Sequence, residues 1–148
     1  MFQKMLQGGG GGGNTANYLI ENGIAKVSYD ALIPSDIIQN SDNIQVAYGS
    51  GKDTNFIIFR NISLKANDFI VCDCLADNHG VDGYYDYNGL IIVPSGTTPN
   101  YNTFSMTHSK NDTRQVIGYK VTADGNYDIY IGHYNDSRGE IIYNLLLT

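Results

Sequence analysis

The side chains able to do acid–base, nucleophilic or metal chemistry are few and scattered. His79, His108 and His133 are the three histidines of a 148-residue chain. They fall in three different segments, with neither the His-Glu-x-x-His spacing of a zinc hydrolase helix nor the Gly-x-Ser-x-Gly elbow of a serine esterase. His79 and His108 fall in segments that read as loops, which predicts solvated imidazoles. His133 lies on the inward side near a strand end, which predicts a core-edge histidine with one satisfied nitrogen. Cys72 and Cys74 flank Asp73 in the apolar run from Phe69 to Leu75. In a strand they project from one face roughly 6.5–7 Å apart, at or beyond the upper limit for a disulfide. No second cysteine pair or run of histidines completes a metal site around them. They read as two reduced core thiols that pack as small hydrophobes. With no nucleophile held against an orienting base, the chain is expected not to be an enzyme, and no cofactor or metal is expected.

Two other motifs are weighed and set aside. Asp77 to Asp86 offers enough oxygen donors for calcium but lacks the loop spacing that ends in a bidentate glutamate, and ordinary Asp, Asn and Gly turn chemistry accounts for it. The unbroken run Gly8 to Gly13 is followed by Asn14-Thr15. A phosphate-binding loop would continue into Lys-Ser or Lys-Thr and open a helix.

The twelve tyrosines carry more information. Tyr84, Tyr85 and Tyr87 stand beside Asp82, Asp86 and Asn88, a grouping that suits stacking on sugar rings with hydroxyls bonded by the polar neighbours. Tyrosine is also simply a good strand residue, and for this cluster both readings stand. Tyr130 and Tyr134 alternate with Ile129 and Ile131, so they take the outward face of their strand and read as a subunit interface.

Hydrophobic residues make up 42% of the chain and charged residues 16%, a balance that excludes a strongly charged disordered polymer and predicts a soluble globular domain. Nine basic against fifteen acidic residues leave a net charge of -6. Nothing in that balance attracts phosphate backbones, so nucleic acid is not an expected partner. No run approaches the length of a membrane span, and Met1 to Gln7 passes into glycine without the apolar centre of a secretory signal, so neither membrane insertion nor general secretion is expected.

The elements that must position these residues read as strands. Ile24 to Ile33 alternates with Ala25, Val27, Tyr29, Ala31 and Ile33 on one side, and Ile44, Val46 and Tyr48 repeat the pattern. Further strands are predicted at Phe56 to Leu64, Asp68 to Leu75, Tyr84 to Val93 and Thr103 to Thr107. Gln115 to Thr122, an Asp124-Gly125 turn and a return strand through Tyr127 to His133 predict a hairpin, with Glu140 to Leu147 as the third strand of the same meander. A short helical turn is predicted at Pro34 to Gln39, with Ser35 or Asp36 near its cap. Seven to nine short strands predict an all-β, antiparallel β-sandwich of jelly-roll type over residues 18–148, preceded by a glycine-rich arm over residues 1–17.

In that arm Phe2, Met5 and Leu6 form a candidate apolar anchor. Gly8, Gly9, Gly10, Gly11, Gly12 and Gly13 allow a close backbone approach that any Cβ would block; the plainer reading is a flexible tether about 13 Å long. A start of the type Met-Phe-Gln-Lys-Met-Leu-Gln followed by polyglycine, joined to one Tyr- and Asn-rich β domain, resembles the small virion structural proteins of phages and prophages of low-GC bacteria. The resemblance implies a non-enzymatic role in a tail, baseplate, fibre or capsid surface. It implies synthesis in the host cytoplasm, assembly into the virion as a homo-oligomer with other virion proteins, a docked N-terminal arm and a displayed β domain. The alternative is a carbohydrate-binding module that recognises host surface glycan through the Tyr84 to Asn88 cluster.

Overall fold

A computed structural model describes residues 17–47, 54–77, 88–110, 112–134 and 139–148. The candidate anchor (Phe2, Met5, Leu6 and Gly8 to Gly13), His79, and Asp82, Tyr84, Tyr85, Asp86 and Tyr87 lie outside the described residues.

Period-two alternation sets the structure, and no α-helix occurs among the described residues. The strands are β1 (Asn17–Glu21), β2 (Ile24–Ala25), β3 (Asp30–Ala31), β4 (Ile37–Gln39), β5 (Ile44–Val46), β6 (Asn55–Leu64), β7 (Phe69–Asp77), β8 (Asn88–Pro94), β9 (Met106–Thr107), β10 (Gln115–Lys120), β11 (Gly125–His133) and β12 (Gly139–Leu147). They form two sheets in which every pairing is antiparallel. The first runs β10-β7-β12-β1-β2, and the second runs β3-β6-β11-β8-β9. One edge of β12 is shared: β5 pairs with Glu140 to Ile142 and carries β4, while β1 pairs with Leu145 to Leu147.

The inner faces meet in one apolar core. Ile57, Phe59, Leu90, Ile92, Ile129 and Ile131 of the second sheet pack against residues of the first that include Ile70, Cys72, Cys74, Ile142 and Leu145. Each fully buried aliphatic or aromatic side chain of this kind contributes about 1.5–3 kcal/mol. The central strands of the second sheet are apolar on both faces, as in buried strands generally. Phe56, Ile58, Ile91, Val93 and Tyr130 form an outer cluster with Phe104 and Tyr134 against it. The two cysteines are the free, buried thiols that the sequence predicts.

Three local expectations fail. The Asp124-Gly125 reversal is not a hairpin, because β10 pairs with β7 in the first sheet and β11 with β6 and β8 in the second. The turn is fastened elsewhere: Asp124 Oδ1 accepts from the Ala66 N–H at 2.9 Å, and the Tyr127 hydroxyl donates to the Ala123 carbonyl at 2.6 Å. β12 then returns to the first sheet, so the last three long strands alternate between sheets rather than forming a meander. Ile24 to Ile33 is broken into β2 and β3, because the chain passes there from β1 in one sheet to β6 in the other, leaving Val27 exposed. The helical turn expected at Pro34 to Gln39 is present as one 3-10 turn, Pro34–Asp36, whose N-cap is Ile33 with no side-chain cap bond.

Candidate functional site

Strand parity places a polar group at one end of the core. On β11 the inward residues Ile129 and Ile131 are followed two positions later by His133, which is paired with Asn55 of β6 on one side and Asn88 of β8 on the other. Asn55, His133 and Asn88 form a row across the second sheet in which no residue exceeds 1% exposure. Asn55 is closed by local bonds: its Oδ1 accepts from the Ile33 and Phe56 N–H groups at 2.9 and 3.0 Å, and its Nδ2 donates to the Ile33 carbonyl at 3.1 Å. Asn88 Nδ2 donates to the Gly139 carbonyl at 3.0 Å, which ties β8 to the start of β12 and so to Glu140.

Across the core the first sheet presents Cys74 and Glu140, offset by two residue pairs, since Cys74 pairs with Ile142 and Glu140 with Ala76. The third member comes from just after β9. A Cβ at Gly89 would lie 2.3 Å from the Met106 carbonyl oxygen, so only glycine lets β9 close onto β8 here. The His108 N–H then donates to the Asn88 carbonyl at 3.2 Å, and its side chain turns inward. His108 is therefore not the solvated loop histidine that the sequence predicts; pairing of β9 with β8 carries it into the core.

His108 Nε2 lies 2.7 and 2.9 Å from the two Glu140 carboxylate oxygens and 3.7 Å from Cys74 Sγ. The side chains of His108 and Glu140 are wholly buried. Burial pulls the His108 pKa down, but the charge and hydrogen bond of Glu140, with a smaller contribution from Gln115, outweigh it and hold the imidazole above its ordinary value. Burial pushes the Cys74 thiol well up, with Cys72, Glu140 and Asp73 adding to it. His108 Nδ1 has no hydrogen-bond partner. This is not a thiol-activating relay, in which the two imidazole nitrogens divide the nucleophile and the carboxylate between them. Here Nε2 faces both, and the protonated thiol is the favoured form.

The outer surface offers a different arrangement. A cleft of about 320 Å³ is lined by Leu32, Phe56, Arg60, Thr97, Tyr130 and Tyr134, among others. Tyr130 takes the outward parity that the sequence predicts, but it is 5% exposed and packs edge-on against Phe56 with ring centroids 5.6 Å apart. It forms the floor of the cleft, with Tyr134 half-buried beside it. Asn88, of the candidate glycan cluster, is fully buried. Arg60 Nε donates to Asp30 at 2.8 Å, and its Nη1 lies 3.5 Å from Asp128. Asp128 accepts from the Asn61 and Gly96 N–H groups at 3.0 and 3.1 Å, fixing the cleft wall that begins at Gly96. Burial alone would raise the Asp128 pKa; those N–H groups, Ser95 and Arg60 outweigh it and hold the carboxyl below its ordinary value.

A further network lies on the first sheet. Arg114 clamps Asp73 through two bonds of 2.8 and 2.7 Å and lies 3.7 Å over the Tyr143 ring. Asn144, at the irregularity in β12, donates to Asp73 at 3.0 Å and accepts from the Asn22 N–H at 2.9 Å. Its polar groups serve one another, which reads as reinforcement of the β7–β12 pairing.

No protein-family model and no curated protein matches the chain. Among solved structures it is similar to the K3 cleaved adhesin domain of Lys-gingipain from Porphyromonas gingivalis w83, with 10% identity, 92% of this chain and 87% of that chain covered, and a TM-score of 0.44.

Proposed function

We propose that this chain is a non-enzymatic structural protein of a phage virion, with the β domain displayed and residues 1–17 docking it into a larger assembly. The observation that carries the non-enzymatic part is the position of the thiol, imidazole and carboxylate. They are in mutual reach, yet the side chains of His108 and Glu140 are wholly buried. The cleft has the opposite character, with aromatic walls, threonines and a salt-bridged arginine among its described lining residues.

Strand order supports the finer architecture in this reading. The sequence β5/β1-β12-β7-β10 faces β6-β11-β8-β9, and successive long strands change sheet each time. This order supports reading the domain as a jelly roll, an architecture used by viral capsid and lectin domains. The sequence resemblance supports the virion role for this architecture. Sedimentation velocity on the full chain and on one beginning at Asn14 tests it. The full chain is expected to assemble and the shortened chain to remain a folded monomer; identical assembly by both would remove the arm from the account.

The cleft favours a second reading, recognition of host surface glycan. Aromatic faces flanked by Thr97, Thr98 and Arg60 suit a sugar ring and its hydroxyls. On a glycan array the intact protein is expected to give a signal that Tyr134→Ala abolishes. A signal that survives Tyr134→Ala but is lost on Tyr84→Ala with Tyr85→Ala would move the site to the Tyr84 to Tyr87 cluster. No signal from the intact protein would end this reading.

A further inference from the structure

Three donors of different chemistry converge at the polar end of the core. Cys74 Sγ, His108 Nε2 and a Glu140 carboxylate oxygen all lie within 4.8 Å of one another, on three buried residues. As hydrogen-bond partners they are mismatched. Nε2 can carry one proton, yet it faces two carboxylate oxygens and a sulfur, while Nδ1 is buried without a partner. A cation set among the three donors uses all of them at once.

We propose that Cys74, His108 and Glu140 bind a single zinc-class divalent ion that fastens the two sheets together at this end. The donor set selects the class. Calcium and magnesium take oxygen ligands in sets of six or more, whereas a thiolate, an imidazole and a carboxylate are the ligand types of zinc. The spacing fits as well: bonds of about 2.0–2.3 Å at tetrahedral angles place S and N about 3.5 Å apart, against 3.7 Å here. The His108–Glu140 contact of 2.7 Å opens by about half an ångström on ion entry.

Charge also favours it. With metal, a thiolate, a carboxylate and a neutral imidazole bring two negative charges to a doubly positive ion, so the loaded group is neutral, and the protons that the free donors carry leave for solvent. A water taken up with the ion completes the fourth position. The ligands span 34 residues from Cys74 to His108 and 32 from His108 to Glu140. They join β7 and β12 of the first sheet to the segment that follows β9 of the second, so the ion is a cross-link with no counterpart among the sheet hydrogen bonds.

The test uses the full chain, unfolded in chelator and reductant, refolded in zinc and desalted. Elemental analysis is expected to find a single equivalent of zinc. Cobalt loading is expected to give the strong visible bands of a tetrahedral site with a thiolate-to-cobalt charge-transfer band. Glu140→Gln and Cys74→Ser are expected to weaken zinc binding by at least about 100-fold, beyond what loss of an outer-shell partner usually costs. Should either variant fail to fold, the wild-type chain decides alone, since zinc must raise its melting temperature and chelator must reverse the rise. Refolded protein carrying only traces of zinc, a cobalt spectrum without the sulfur band, or a melting temperature indifferent to zinc would each overturn the proposal.

Discussion

The polar end of the core and the tyrosine cleft divide between them what a catalytic site must combine. The first holds a thiol, an imidazole and a carboxylate in contact, all buried; the second is open to solvent and lined by groups that stack and hydrogen-bond. Their origins differ in the same way. The polar end is made by strand parity and by β9 closing onto β8, so its members belong to the fold's long-range pairing. The cleft is made on the outer face of the second sheet, where Asp128 pins the Gly96 loop against Arg60.

Removing one partner of the enclosed pair is the hardest blow to this contrast. In the metal-free chain Glu140→Ala leaves His108 buried beside nothing that offsets its charge, and a loss of about 3–5 kcal/mol is expected in urea unfolding with chelator present. Replacing both, as His108→Leu with Glu140→Leu, is expected to cost clearly less, because no uncompensated charge remains. If the double replacement were as damaging as the single one, packing and not charge would govern that end.

Tyr130 comes next. As the floor of the cleft it is expected to lose about 3 kcal/mol on truncation to Ala, in the range of large aromatic deletions from a core, whereas an interface tyrosine would lose little in the isolated chain. Thermal melts of dilute protein distinguish the two.

Asp128→Asn is smaller, about 1–3 kcal/mol, through weakened bonds to Asn61, Gly96 and Arg60. Its pH dependence has a definite sign. A carboxyl whose folded pKa lies below its ordinary value of 3.8 stabilises the fold above that pH and loses the contribution as pH falls through the folded value. The gap between wild type and variant should therefore stay constant from neutral pH to about pH 5 and narrow in more acid solution. A gap that widened in acid would reverse the assignment.

Smallest in stability is Tyr134→Phe, expected to stay within about 0.5 kcal/mol. Any glycan binding through the Tyr134 hydroxyl would fall without a change in melting temperature, which is what marks a surface role.

Local patterning was enough to find β6 and β7, the inward parity of Ile129, Ile131 and His133, and the reduced core cysteines. It failed where the outcome depends on which strand lies alongside. An Asp-Gly reversal announces that the chain turns back, but partners are chosen over long range, and β10 and β11 found theirs in different sheets. His108 looked like a loop residue because β9 is two residues long and is held by Gly89 and Leu90. The Cys74–His108–Glu140 group was hidden by the same separation. One signal was present: Glu140 shares inward parity with Ile142 on a strand otherwise apolar on that side, and a carboxylate there requires a buried partner.

Cys72 and Cys74 are the only two cysteines of the chain, so a thiol reagent reports directly on the enclosed end. The rate of labelling by a disulfide reagent, followed across sub-denaturing urea with and without chelator, tests whether that chemistry is closed to solvent. The account predicts labelling that follows global unfolding, with the urea dependence of the whole domain. Rapid labelling independent of urea would show an open path to Cys74, His108 and Glu140 and contradict the non-enzymatic reading.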